Sequence, residues 1–228
     1  MKKPVVDYRQ FRLSKINDPR FSHLKLLGWW IPYLILYFAV GRLVPSEECY
    51  MVHSTLDDMI PFCEFFVVPY VLWYFYIILS LGYFALYNIE HFKKLQKYMV
   101  ITQFISIAIY FVFPTTQLRE ANFERDNICA QLVGFLYSID ANTNACPSLH
   151  VAISLAIASV WRREKSANIW LKTAAITFAF LVCMSTVFIK QHSILDAFAA
   201  VFVCLIAEYW LFWRKGARTG KNTKEEVL

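Results

Sequence analysis

The sequence predicts an all-α membrane protein, a bundle of six transmembrane helices with both termini in the cytoplasm. Three observations carry this expectation. The 228 residues are 58% hydrophobic and 18% charged, with a mean hydropathy of +0.42, too apolar for a domain whose main solvent is water. Six apolar stretches, 26–44, 62–87, 98–114, 147–161, 169–189 and 192–213, approach the roughly 20 residues needed to cross a hydrocarbon core of about 30 Å. Between them, the basic residues form short clusters that sort to one side.

Residues 1–25 form a basic, cytoplasmic leading segment. Lys2, Lys3, Arg9, Arg12, Lys15, Arg20 and Lys25 precede or open the first apolar run, and no small-residue cleavage site follows it, the pattern of an uncleaved signal anchor. The apolar runs read as helices despite their Val, Ile and Phe content, because in lipid every backbone N–H and C=O must be satisfied within the segment. With the amino terminus inside, Lys93, Lys94, Lys97, Arg162, Arg163, Lys165, Lys172 and the basic tail also fall inside. Only Arg42, Arg119, Arg125 and Lys190 of 23 basic residues remain outside, as the positive-inside bias requires. The net charge of +6 therefore reflects topology, not a nucleic-acid surface. Residues 26–213 form one membrane domain. Residues 214–228, with Gly216, Gly220 and a run of charges, form a disordered cytoplasmic tail.

The outer connections are residues 45–61, 115–146 and a tight turn at Lys190. The aromatic segment from Phe62 to Tyr76 reads as a helix whose rings settle at the interface. Cys49 with Cys63, or Cys129 with Cys146, are candidate disulfides if the outer side is oxidising; packed thiols are the alternative. Cys183 and Cys204 lie inside apolar runs.

Three polar clusters fall on the outer face, next to spanning segments where such groups are costly and usually functional. Pro114–Glu120 reads P-T-T-Q-L-R-E; Arg119 offers a planar donor fork for phosphate oxygens, and Gln117 a neutral donor. Cys146–His150 reads C-P-S-L-H. Pro147 suits the first position of a helix, whose free N–H groups and dipole make an anion site, with Ser148 as a hydroxyl donor and His150 in the first turn. Ser185–Asp196 reads S-T-V-F-I-K-Q-H-S-I-L-D. His192 and Asp196 are four apart on one helical face, so the carboxylate can hold the imidazole and leave its other nitrogen as a nucleophile.

These residues resemble the type 2 phosphatidic acid phosphatase superfamily of membrane lipid phosphatases and phosphotransferases. The P-S-x-H motif is intact at Pro147, Ser148, Leu149 and His150. The S-R-x(5)-H-x(3)-D motif is matched at Ser185, His192 and Asp196, with Thr186 in place of its arginine. In the K-x(6)-R-P motif Arg119 is kept, while Val112 and Glu120 replace the lysine and proline. The resemblance implies a metal-independent enzyme without a cofactor, in which His192 attacks phosphorus to give a phosphohistidine, Asp196 supports its ring, and His150 serves as general acid and then base. Arg119, Ser148, Gln117 and Ser185 are the expected phosphate contacts. Lys190 either replaces a missing cation or snorkels to the interface.

The expected partners are a phosphorylated lipid and the surrounding membrane lipids, with no nucleic acid and no protein partner. The expected location is the plasma membrane, with the site on the extracytoplasmic side. Resolution by water makes a lipid phosphatase acting on a phosphatidic acid-like ester or a prenyl diphosphate; resolution by a lipid alcohol makes a head-group phosphotransferase like the sphingolipid head-group synthases. Asp57 and Asp58 either meet a cationic head group or belong to a solvated loop. The thinned cation set also motivates a third reading, a non-catalytic lipid-binding or transport protein on the same scaffold.

Overall fold

The computed structural model describes residues 3–120, 123–140 and 142–214. Lys2 and the expected disordered tail beyond Arg214 lie outside them. In chain order the helices are α1 (Trp30–Leu43), α2 (Thr55–Met59), α3 (Val67–Tyr87), α4 (Ile89–Val112), α5 (Ile128–Ile139), α6 (Leu149–Arg163), α7 (Ile169–Phe188) and α8 (Ile194–Glu208). Two short strands, β1 (Tyr50–Val52) and β2 (Thr115–Gln117), pair in parallel.

Five helical stretches are long and apolar enough to cross a membrane: Ser22–Leu43, Glu64–Tyr87, Ile89–Val112, Ile169–Phe188 and Ile194–Trp213. They match five of the six expected spans. The sixth is α6, whose 15 residues reach only about 22 Å at 1.5 Å per residue. Its environment explains the shortfall. It packs against α4, α7 and α8, and Val151, Ala152, Ile153, Ala156, Ile157 and Val160 along it are almost wholly buried. Small residues such as Ala152 and Ala156 allow this close approach. Side chains tie the neighbouring helices by donating to backbone carbonyls: Tyr76 Oη to Ala175 O at 2.9 Å and Tyr98 Oη to Cys204 O at 2.9 Å.

Several expectations change. The third run starts at Ile89 rather than 98, so Lys93, Lys94 and Lys97 ride on the first turns of α4. Asn88 caps it by accepting from His91 N at 3.1 Å, and burial of Phe92 and Leu95 extends the packed face toward that cap. The connections 45–61 and 115–146 carry secondary structure of their own. β1 and β2 join residues 45–61 to 115–146, and α5 occupies part of the latter. All six cysteines are free thiols. Pro147 stands before the α6 cap, not in its first turn, because Ser148 is the N-cap.

The leading segment is docked: Val5 N donates to Leu86 O at 2.7 Å, and Tyr8 Oη donates to Ala85 O at 2.9 Å. It therefore meets the bundle at the end that carries Lys93 and, where α6 finishes, Arg162 and Arg163. Chain direction puts the end of α4 and the starts of α3, α6 and α8 at the opposite end. The three polar clusters meet there.

Asp57 binds the 45–61 connection to that end. Its carboxylate completes the Ser54 capping box of α2 and also accepts from Ser193 Oγ at 2.6 Å and Ile194 N at 2.8 Å. Asp58 instead pairs with His53 at 2.8 Å on the exposed surface. Leaving buried donors unpaired costs about 1–3 kcal/mol each, whereas an exposed pair contributes about 0–1 kcal/mol. Asp57→Ala should lower the thermal unfolding midpoint in detergent by several degrees, and Asp58→Ala should leave it nearly unchanged.

Candidate active site

Two helix starts lie side by side at the polar end. Ser148 Oγ caps α6 by accepting from Val151 N at 3.4 Å, and Ser148 N donates to Asp196 O at 3.1 Å. Ser193 caps α8 in a capping box with Asp196. Asp196 Oδ2 accepts from Ser193 N at 3.0 Å and faces His192 Nδ1 at 3.2 Å. The turn leading into α8 is held by Thr186 O, which accepts from both Gln191 N and His192 N at 3.0 Å. His192 is thereby fixed through Nδ1, which leaves Nε2 for chemistry.

His150, in the first turn of α6, is clasped by two rings of α3. Its ring lies 4.2 Å from Tyr70 at 23° and 4.1 Å from Trp73 at 37°, and 6.0 Å from the His192 ring. Its Nε2 is buried without a hydrogen-bond partner. An orphaned imidazole nitrogen beside a second histidine is what proton transfer to a bound ligand requires.

Arg119 reaches the same place from the segment after β2. Its Nη1 donates to Tyr137 O and Asp140 O at 3.0 Å each, and its Nη2 donates to Gln191 Oε1 at 2.9 Å. Burial pulls the guanidinium pKa below its ordinary value, against the field of Asp140. Burial likewise raises the Asp140 carboxyl, with Arg119 and His192 drawing it down. Behind the histidine, burial and the Asp196 carboxylate push the Cys146 thiol up to about 12, so it stays neutral.

A cavity of about 610 Å³ holds Arg119, Asp140, His150, Gln191 and His192 at one end. Asn142, Thr143 and Asn144 also border it, and its remaining walls are mostly apolar and aromatic, from Trp30, Tyr33 and Leu34 of α1 and Trp73, Ile78 and Leu81 of α3. α1 leans on α4, so the space lies between α1 and α3. From Tyr70 to Leu81 it follows α3 for roughly 16 Å at 1.5 Å per residue, about half of a hydrocarbon core.

The structure brings together Arg119, His150 and His192, with Asp196 directly behind. The other expected contacts lie elsewhere. Ser148 is sealed in its cap, Ser185 Oγ donates to Val182 O at 2.6 Å inside α7, and the Gln117 side chain is buried in β2. Lys190 has positive φ, and its ammonium donates to Asp57 O at 2.7 Å and Ile60 O at 2.5 Å. It clasps the 45–61 connection and is not among the residues lining the cavity. Asp57 caps α8, and neither it nor Asp58 lines the cavity. Asp140, Gln191, Tyr70 and Trp73 were not singled out by sequence. For Tyr70 and Trp73 the signal was present: they stand three apart on the face of α3 that also buries Val67, Ile77 and Phe84.

A family model described as the PAP2 superfamily matches residues 51–210, which include every residue of this polar end named above. No curated protein and no solved structure matches the chain.

Gln191 keeps Arg119 in place through Oε1 while its Nε2 is buried without a partner, so it combines a positioning contact with a spare donor. Gln191→Ala should lower kcat/KM for turnover of a lipid phosphoester by about 10²-fold, the scale of losing one preorganised donor. Lys190→Ala should change it less than about threefold once the folded fraction is accounted for, since its ammonium bonds are to distant carbonyls.

Proposed function

Because this chain belongs to the PAP2 superfamily, we propose that it is a membrane lipid phosphatase that cleaves a lipid phosphoester through a phosphohistidine, with its site on the extracytoplasmic side of the plasma membrane. The observation that carries the reading is the cavity. Two histidines and an arginine sit at the head of an apolar sleeve that runs between α1 and α3. Such a sleeve suits alkyl chains and delivers an ester to the polar end without taking the chains out of an apolar medium. The end that carries the basic clusters and the leading segment is then cytoplasmic.

In this mechanism His192 Nε2 attacks phosphorus while Asp196 holds Nδ1 and stabilises the charge that the ring acquires. His150 protonates the leaving oxygen and later takes a proton from the incoming nucleophile. Arg119 and Gln191 Nε2 hold the phosphoryl oxygens. The aromatic clasp of Tyr70 and Trp73 keeps His150 from rotating away. No step calls on a metal or cofactor.

Water as the nucleophile makes the protein a phosphatase. A lipid alcohol makes it a head-group phosphotransferase, a reading favoured by the length of the apolar sleeve beyond the histidines. A lipid-binding protein without catalysis is the remaining alternative.

The full-length protein in mixed micelles, given lipids labelled at phosphorus, distinguishes these readings. Free phosphate or a free phosphorylated head group indicates hydrolysis, and a new labelled lipid indicates transfer. His192→Ala should abolish either product, and Asp196→Asn should lower its rate by about 10⁴-fold, as when a triad aspartate is neutralised. Product formation by His192→Ala at the wild-type rate would defeat the phosphohistidine reading.

A further inference from the structure

The cavity carries fixed charges of both signs. Arg119 stands beside the two histidines, and Asp140, where α5 ends, shares the same space. The charge of Asp140 reaches Arg119, His192 and the hydroxyls of Tyr37, Tyr70 and Tyr74. The mechanism above gives this carboxylate no task. Next to a phosphate it is a liability, since like charges oppose one another and the dianion of a phosphomonoester suffers most.

The anionic side of the site is correspondingly light. Arg119 supplies a full charge, while its neighbour Gln191 contributes a neutral N–H that is buried and lacks a partner. One guanidinium and an amide suit the single negative charge of a phosphodiester. Around Asp140, the rings of Tyr37, Tyr70 and Tyr74 line the cavity. Aromatic faces attract ammonium groups, and a carboxylate among them adds a full opposite charge. A ligand with one phosphate charge and one ammonium charge meets a partner for each.

We infer that Asp140, with Tyr37, Tyr70 and Tyr74, forms an ammonium subsite beside Arg119, so that the substrate is a zwitterionic phosphodiester lipid with an amine or quaternary ammonium head group. The inference rests on the phosphohistidine reading and deepens it by naming the substrate class; on such a substrate the products are diacylglycerol and a released or transferred phosphorylated head group, in place of inorganic phosphate. Tyr37 belongs to α1, which precedes the family match at residues 51–210, so one wall of the subsite is supplied from outside the matched region. Asp57 and Asp58, the acidic pair that the sequence suggested for this task, are committed to the α8 cap and to His53.

On such a lipid, His192 Nε2 forms a bond to phosphorus as the bond from phosphorus to the glyceryl oxygen breaks. His150 gives its proton to that oxygen, and diacylglycerol leaves. The head group stays on phosphorus, with its ammonium on Asp140. Water or a lipid alcohol then attacks phosphorus and gives its proton to His150. The N–P bond breaks, its electron pair returns to His192, and the products are a phosphorylated amino alcohol or a new phospholipid.

The test measures diacylglycerol release by the full-length protein in mixed micelles that contain a long-chain lipid alcohol as acceptor together with dioleoyl phosphatidylcholine, phosphatidylethanolamine or phosphatidic acid. Wild type should favour at least one zwitterionic lipid over phosphatidic acid by about tenfold or more in kcat/KM, the discrimination of one satisfied ammonium site. Asp140→Asn should lower that ratio by about tenfold, and Asp140→Glu should restore much of it. A wild-type preference for phosphatidic acid overturns the inference without need of any variant. So does a ratio that Asp140→Asn leaves unchanged. Either result leaves the phosphohistidine reading standing, whereas no turnover of all three lipids overturns both together.

Discussion

Asp196 is the residue on which the polar end of this bundle depends. It is fully buried, and three interactions converge on it. Its carboxylate closes the capping box of α8 and faces His192 Nδ1, while its backbone carbonyl accepts from Ser148 N at the cap of α6. Taking a carboxylate out of water costs several kcal/mol unless hydrogen bonds and charge partners compensate. Here the groups that compensate the carboxylate are the start of α8, through Ser193 N, and the proposed nucleophile, through His192 Nδ1, while the backbone carbonyl of the same residue makes the link to α6. The residue that orients His192 is therefore the one that fixes α6 relative to α8, and with it the position of His150.

The rest of the bundle serves this junction. α6 is short because it is surrounded by protein, and being surrounded makes it a rigid mount for His150. Its neighbours α4, α7 and α8 are the helices whose ends bring Arg119, Gln191 and Asp196 to the same depth. α1 behaves differently. It leans on α4, with Tyr33 as its one buried residue, and leaves the space toward α3 open as a cavity. The packed side of the molecule thus holds the two histidines, and the loosely packed side holds the cavity.

Much of this was legible in the sequence, because the strongest signals are local. Five of six expected spans followed from apolar length, and the pairing of His192 with Asp196 followed from a spacing of four on a helix. The intact P-S-x-H motif located His150. What was not legible depends on long-range contacts. Lys190 looked like a spare phosphate cation from its place two residues before His192, but its side chain reaches the carbonyls of Asp57 and Ile60, more than a hundred residues earlier. Asp57 read either as a partner for a cationic head group or as a solvated loop acid, because nothing nearby in sequence reveals that it caps α8. Gln191 and Asp140 carry no recognisable spacing, and their meeting with Arg119 exists only once α5 and the turn before α8 are in place. The short strands escaped for the same reason, since their pairing spans the whole of α3 and α4.

In the proposed chemistry His192, held by Asp196, accepts the phosphoryl group. Rapid quenching of the full-length protein during turnover of a lipid radiolabelled at phosphorus tests it most directly. A phosphohistidine should give protein-bound label that is stable in base and lost in acid, carried by the peptide containing His192, absent from His192→Ala, and increased when the acceptor is withheld. Continued turnover with no protein-bound label at any quench time, or label on a peptide lacking His192, would contradict it.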